Sequence, residues 1–271
     1  MTRLLAGKRG AGRRLKVGLA LLGAIVVGTA VAAAFGPDPL QPSLATLGPP
    51  SLHHLMGTDH VGRDVLTRVS QGAGTSLWTA SLSAVAAALI GTTVGLVAGS
   101  VGGLADEALL KMAELSQVMP QFLVALVAAA LFGPSRLALV GVLTLTFWPS
   151  TARLTRGEVL SLRERDYIAA ARAGGAGGGR ILLRHLLPGA LPIVVTNTSF
   201  QAGAAVLIET GLAFLGLGDR NTVSWGAMLA DAQSYVGIAW WLSLFPGLAV
   251  GLTVLAMNLA GDGLNEALGV R

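Results

Sequence analysis

The feature that most constrains this chain is a series of long stretches without charge. Val17–Phe35, Leu77–Val101 and Ile238–Ala260 contain no Asp, Glu, Lys or Arg. A helix needs about 20 mostly apolar residues to cross the hydrocarbon core of a bilayer, and each of these runs is long enough. Soluble domains carry about 25% charged residues. Here 12% of 271 residues are charged and 53% are hydrophobic, too little charge to coat a water-facing surface and too much apolar matter for a disordered chain. The absence of cysteine removes disulfides, thiolate metal sites and cysteine nucleophiles together.

Three further runs complete the pattern. Leu109–Leu131 has Lys111 and Glu114 near its start, Leu137–Ala152 follows the Gly133-Pro134-Ser135-Arg136 turn, and Leu191–Phe214 carries Glu209 close to its end. The expected fold class is an all-α integral membrane protein with six transmembrane helices. Its expected organisation is a basic tail (1–16), a first span (17–35), an external loop with an amphipathic helix (36–76), a five-span core (77–262) containing a long loop (153–188), and a short tail (263–271). The N-terminal basic region, apolar run and Val31-Ala32-Ala33-Ala34 also have the form of a cleaved secretory signal, but a run of about 19 residues exceeds the usual signal core and is read as a retained span.

Lys and Arg accumulate in cytoplasmic loops. Arg3, Lys8, Arg9, Arg13, Arg14 and Lys16 lie in the tail, and Arg153, Arg156, Arg163, Arg165, Arg172, Arg180 and Arg184 in the 153–188 loop. With Lys111 and Arg271, fifteen basic residues fall on one side; Arg63, Arg68, Arg136 and Arg220 fall on the other. Both termini are therefore expected in the cytoplasm. The net charge of +5 is then a topological signal rather than a nucleic-acid surface.

Three exposed segments carry the remaining information. The external one opens with Pro37, Pro39, Pro42, Pro49 and Pro50, which predict extended chain. It continues as Gly57-Thr58-Asp59-His60-Val61-Gly62-Arg63-Asp64, where Thr58 or Asp59 is a candidate helix cap. Val61, Val65, Leu66 and Val69 recur at helical spacing, and Asp64 and Arg68 are placed to pair. In the 153–188 loop, Tyr167, Ala170, Ala171 and Gly174 fall on one small-residue helical face that another protein can approach closely. Gly174-Gly175 breaks that helix, and 180–188 predicts a second short helix stopped by Pro188. The third segment, 216–237, contains Trp225. Within the spans, Asn197 and Gln201 share a face, with Glu209 two turns beyond. Such a stripe either lines a pathway or bonds helices to one another.

Catalytic signatures are missing. Neither Gly7–Gly10 nor Gly174–Gly179 has the order of a phosphate-binding loop, and there is no H-E-x-x-H or serine elbow. His53 and His54 are adjacent but form no recognisable metal motif.

The loop resembles the EAA loop of ABC-importer permeases: Ala169-Ala170-Ala171, three residues to Gly175, nine residues, then His185-Leu186-Leu187-Pro188. Ala169 stands where that pattern has Glu, and His185 where it has Ile. Gly57–Leu77 resembles the G-T-D-x-x-G-R-D segment of dipeptide, oligopeptide and nickel permeases, and Glu209–Gly218 with Ser224–Leu229 resembles later segments of their C-type (DppC/OppC-like) subunits. The resemblance implies a type I importer permease of a bacterial or archaeal plasma (inner) membrane, half of a translocation pathway for peptides or a similar small solute. It implies a related B-type permease, two cytoplasmic ATPases (or one two-domain ATPase) carrying ATP and Mg2+, and an extracytoplasmic substrate-binding protein, with no cofactor, catalysis or nucleic acid on this chain. Asp166, Tyr167, Ala170, Ala171, Arg172, Gly175, Arg180, His185 and Pro188 would couple to the ATPase. Asn197, Gln201 and Glu209 would line the pathway, and Asp59, Arg63, Asp64 and Trp225 would meet the binding protein. A non-transporting scaffold, or an importer of nickel chelates or haem, are the alternatives.

Overall fold

The computed structural model describes residues 2–35, 41–219 and 221–268. The described chain is all-helical apart from one isolated β-bridge, between Thr58 and Asp64. Five helices are long and apolar enough to cross a membrane: α1 (Thr2–Phe35, apolar over Gly12–Ala32), α2 (Val65–Val101), α5 (Arg136–Arg163), α8 (Leu187–Phe214, reached through short α7, Gly178–Ile181, and a π-helical turn at Leu182–Leu186) and α10 (Trp241–Leu268). Between them lie α3 (Gly103–Leu115), α4 (Gln121–Phe132), α6 (Asp166–Ala173) and α9 (Trp225–Ala232).

The expected count of six unbroken spans needs correction at the third. Leu109–Leu131 divides into α3 and α4. Pro120 supplies no N–H and disfavours a helical residue before it, and Ser116 Oγ donates to the Met112 and Ala113 carbonyls at the end of α3. The 12 residues of α4 reach only about 18 Å, short of the roughly 30 Å hydrocarbon core. The chain still has to return between α2 and α5. Gly99, near the end of α2, meets Val159 near the end of α5, whereas the start of α5 meets the start of α2, where Arg136 bonds Thr75. Along the way Asp106 of α3 pairs with Arg156 at 2.5 Å and Gln121 of α4 donates to the Thr146 carbonyl at 3.5 Å. The third crossing is thus a broken pair of helices.

Two further boundaries differ from expectation. The amphipathic helix after the GTD segment is the first part of α2 itself, which at 37 residues extends about 55 Å, well beyond a bilayer core. The 180–188 segment is not a separate helix stopped by proline, because Pro188 sits in the first turn of α8, where a missing N–H costs nothing. Of the expected extended prolines, Pro42, Pro49 and Pro50 lie in irregular chain; Pro37 and Pro39 fall outside the described residues.

Helix packing depends on glycine. Gly91, Gly95 and Gly99 repeat every four residues along α2 and face α5. A Cβ at Gly91 would lie 2.5 Å from the Trp148 carbonyl oxygen, one at Gly95 2.4 Å from that of Ala152, and one at Gly99 2.8 Å from Val159 Cγ1. In lipid, where helices gain little from hydrophobic association, such close backbone approach supplies the dispersion contacts that hold a bundle. The same device joins α1 to α10: a Cβ at Gly18 would meet Ala260 N at 2.6 Å, and one at Gly263 would meet Leu15 N at 2.4 Å. Arg14 pairs with Glu266 nearby at 2.6 Å, so the start of α1 and the end of α10 occupy one end of the bundle.

Two clusters form the interior. The larger includes Leu143, Phe147, Val206, Leu212 and Trp225. A smaller one, of Leu96, Val159, Leu162, Ile168, Ile181, Leu186 and Ala190, sits where α2 and α5 end and α8 begins.

Candidate functional site

The 153–188 loop is fastened to the bundle by its apolar residues. Ile168 is fully buried and Ile181 nearly so, both in the smaller cluster, and Arg163 Nη1 donates to the Gly99 carbonyl at 2.6 Å. With Ile168 turned inward, the rest of α6 turns outward: Asp166, Tyr167, Ala170, Arg172 and Gly174 are exposed and Ala171 is half-buried. Gly175 has φ +83°, a left-handed conformation that glycine adopts freely, and it reverses the chain after α6. Arg180 and Pro188 are exposed and His185 is half-buried, its ring 6.1 Å from that of Tyr167. The loop is therefore a rigidly rooted projection with a small-residue outer face.

The polar stripe of α8 divides in two. Asn197 Nδ2 donates to Thr151 Oγ1 at 2.9 Å, and Gln201 Nε2 donates to the Phe147 carbonyl at 3.0 Å and to Thr151 Oγ1 at 3.2 Å. These bonds join α8 to α5 around Pro149, whose missing N–H weakens the α5 ladder. Both residues act as interhelical bonds here. Glu209 differs. It is 6% exposed, accepts from Ser76 Oγ at 2.8 Å, and lines a cavity of about 30 Å3. Arg220, the partner the sequence suggests for Glu209, lies outside the described residues.

The outer segment, 57–68, folds around Asp59. Its carboxylate accepts from Val61 N and Arg63 N, each at 2.9 Å, from Arg63 Nε at 2.7 Å and from Arg68 Nη1 at 2.5 Å. Burial acts to raise the Asp59 carboxyl, but the backbone N–H groups of Arg63 and Val61, the Arg63 side chain and the Arg68 charge outweigh it and hold the group below its ordinary value of 3.8. Arg68 also reaches Asp231 of α9 at 3.4 Å. The expected Asp64–Arg68 pair does not form. Asp64 instead caps α2 by accepting from Thr67 N at 2.9 Å, and it meets His54 Nδ1 at 3.0 Å. The cap is thus Asp64 rather than Thr58 or Asp59, because the helix starts at Val65. Thr58 bridges within the loop, accepting from Gly48 N and donating to the Ala45 carbonyl. Gly57 and Gly62 have φ +77° and +85°.

Two of the four residues expected to meet a binding protein offer it no surface. Trp225 is 1% exposed, with Nε1 donating to the Val69 carbonyl at 2.8 Å, and Asp59 is 3% exposed. Both hold the outer layer together. The sequence did not flag Asp231 as a partner of Arg68, nor the Gly91/Gly95/Gly99 repeat, although the four-residue spacing of small residues is a readable signal. Arg63, Arg68, Gln71, Asp219 and Asp231 line an open outer cleft of about 840 Å3.

Residues 91–271 match the model of a family described as the binding-protein-dependent transport system inner membrane component. The chain is 36% identical over 258 residues to the dipeptide transport system permease protein DppC of Alkalihalophilus pseudofirmus, covering 92% of this chain and 85% of that protein. It is 39% identical over 220 residues to the glutathione transport system permease protein GsiD of Pectobacterium atrosepticum, covering 81% and 73%. In fold it is similar to a chain of the MetNI methionine ABC transporter in an inward-facing conformation, with TM-score 0.60 and 20% identity over 72% of this chain and 93% of that one. With its bundle of apolar helices, the chain is a multi-pass membrane protein of type I ABC-importer permease fold, and it belongs to the family of binding-protein-dependent transport system inner membrane components.

Proposed function

We propose that this chain is the permease subunit of an ATP-driven importer of peptides or similar small solutes. It would form half of the translocation pathway together with a related B-type permease. Two ATPase subunits, or one two-domain ATPase, would carry ATP and Mg2+, and an extracytoplasmic binding protein would deliver the solute. The peptide reading is supported by relatives that bear peptide-type transport names; nickel chelates or haem are the alternative solutes. Both termini are assigned to the cytoplasm, on the excess of Lys and Arg and on the shared position of the start of α1 and the end of α10.

The observation that carries the coupling role is the posture of α6. Ile168 is buried among the ends of α2 and α5 while Tyr167, Ala170 and Gly174 face outward. A groove on an ATPase that receives this face can push on α6, and a close-packed cluster transmits the displacement instead of absorbing it. Asp166, Tyr167, Ala170, Ala171, Arg172, Gly175, Arg180, His185 and Pro188 are the residues assigned to that contact. The exposed part of the outer cleft, including Arg63 at its edge, is the surface assigned to the binding protein.

Ala171→Glu tests the coupling role. A bulky charge on the docking face should reduce co-purification of the ATPase by tenfold or more, on the order of a buried unpaired charge, while leaving the permease folded and paired with its partner permease. Unchanged ATPase recovery, or ATP-independent uptake by the assembled complex in liposomes, would refute the assignment.

A further inference from the structure

We propose that the break between α3 and α4 lies against a water-filled passage, and that Val118 and Met119 line the route the solute takes through it. This rests on the importer reading and deepens it. Asn197 and Gln201, the span residues expected to line a pathway, have their amides bonded to α5. The break is a different kind of polar feature, because its open groups belong to the backbone. Among the described residues, the carbonyls of Gln117, Val118 and Met119 accept no hydrogen bond, and the N–H groups of Met119, Gln121 and Phe122 donate none.

These groups sit deep in the membrane zone. Gln121 Nε2 donates to the Thr146 carbonyl at 3.5 Å, which fixes the level of the break against α5. Leu137–Ala152 of α5 carries no charge. Thr146 is ten residues beyond Arg136 and seven before Arg153, about 15 Å and about 10 Å from them at the rise of a helix. The break therefore stands well inside a hydrocarbon core of about 30 Å.

Lipid supplies no hydrogen-bond partner at that depth, and non-helical backbone is tolerated there only where protein buries it or water reaches it. This chain does not bury it: Val118 is 75% exposed, Met119 is 62% exposed and Pro120 is exposed. A carboxylate nearby favours water over an apolar partner helix as the cover. Glu114 lies along the chain between the Asp106–Arg156 contact and the Gln121–Thr146 contact. It is exposed and forms no ion pair among the described residues. Charged groups within the membrane face a water-filled cavity or a bundle interior, and water satisfies the carboxylate and the open backbone groups together.

The chain contains no cysteine, so a single introduced thiol reports its own surroundings. The thiolate is the reactive form, and a thiol surrounded by lipid does not ionise. In the assembled complex in liposomes, Val118→Cys and Met119→Cys should react with 2-(trimethylammonium)ethyl methanethiosulfonate, a charged reagent excluded from lipid. Their rates should exceed that of Leu252→Cys, an exposed position in the middle of α10, by roughly tenfold or more. Labelling at Met119 puts a bulky cation in the passage and should stop uptake of trialanine, whereas the same treatment should leave uptake by the Leu252→Cys complex unchanged. Two positions at the break keep the test decisive where one variant folds poorly. Rates at both positions as slow as at Leu252, with and without ATP, would show that protein or lipid covers the break and would overturn the proposal. Fast labelling that leaves uptake intact would overturn the solute route. Fast labelling in a complex that takes up no peptide would uphold the water-filled break and overturn the importer reading instead.

Discussion

Replacing Gly95 with leucine is expected to prevent this protein from accumulating in folded form. The α2–α5 contact is made across glycine, and even a methyl group at Gly95 would sit 2.4 Å from the Ala152 carbonyl oxygen, 2.7 Å from Thr155 Cβ and 3.0 Å from Arg156 N. Two of these three atoms are backbone and cannot swing away, so the helices must separate. Separation forfeits the close dispersion contacts all along the pair, and no hydrophobic driving force restores them in lipid. Gly95→Ala should cost about 1–3 kcal/mol, as overpacking does, and Gly95→Leu more than a fold of ordinary stability tolerates. The measurement is the yield and Tm of the monodisperse detergent-solubilised protein. Gly251→Ala is the control: a Cβ there meets nothing within 4 Å, so its Tm should stay level or rise slightly, since alanine is the better helix former. Equal behaviour of Gly95→Ala and Gly251→Ala would show that the α2–α5 approach does not hold the bundle.

Asp59→Asn is expected to have the second largest effect, a loss of about 3–5 kcal/mol, the usual consequence of removing one partner from a buried ion pair. The Arg68 side chain is only 7% exposed, and without Asp59 it would keep just the 3.4 Å contact to Asp231, whose side chain is 45% exposed. Asp64→Ala, which removes the α2 cap, should cost about 1 kcal/mol. Asp59 also sets an acid limit. Its carboxyl is held below 3.8 in the folded protein, so its stabilising contribution is fully present above that value. The contribution is lost as pH falls below 3.8 and through the lowered folded value. Tm measured against pH should therefore fall below that point in the wild type, and the Asn variant should lack this part of the fall. Parallel curves for the two proteins would remove Asp59 from the role.

Hydrophobic run length made the spans readable because the bilayer imposes one length on any crossing helix. Where the rule failed, at Leu109–Leu131, a proline and the charges of α3 interrupted an apolar average that still looked continuous. The 153–188 loop stood out for a different reason: small residues at helical spacing followed by glycines make a face that another protein can approach closely, which is the basis of its proposed docking role. The sequence could not say that Ile168 points inward while Tyr167 points out, because that depends on where α2 and α5 end. Asn197 and Gln201 were undecidable in the sequence, since a pathway and an interhelical bond call for the same residue types. In this structure both bond to α5, through Thr151 and the Phe147 carbonyl.

Sequence by itself determined that the chain is a multi-pass membrane protein, because run length and low charge are summed over many residues, so the error of any one cancels. Tertiary structure decided which groups each buried carboxylate meets: Asp59 is met by two guanidinium groups and two backbone N–H groups, and Glu209 by the Ser76 hydroxyl in a cavity that Arg136 also lines. The partners of Asp59 lie within nine residues of it, whereas Ser76 reaches Glu209 across 133 residues and Asp231 reaches Arg68 across 163, so those two contacts exist only when the helices pack.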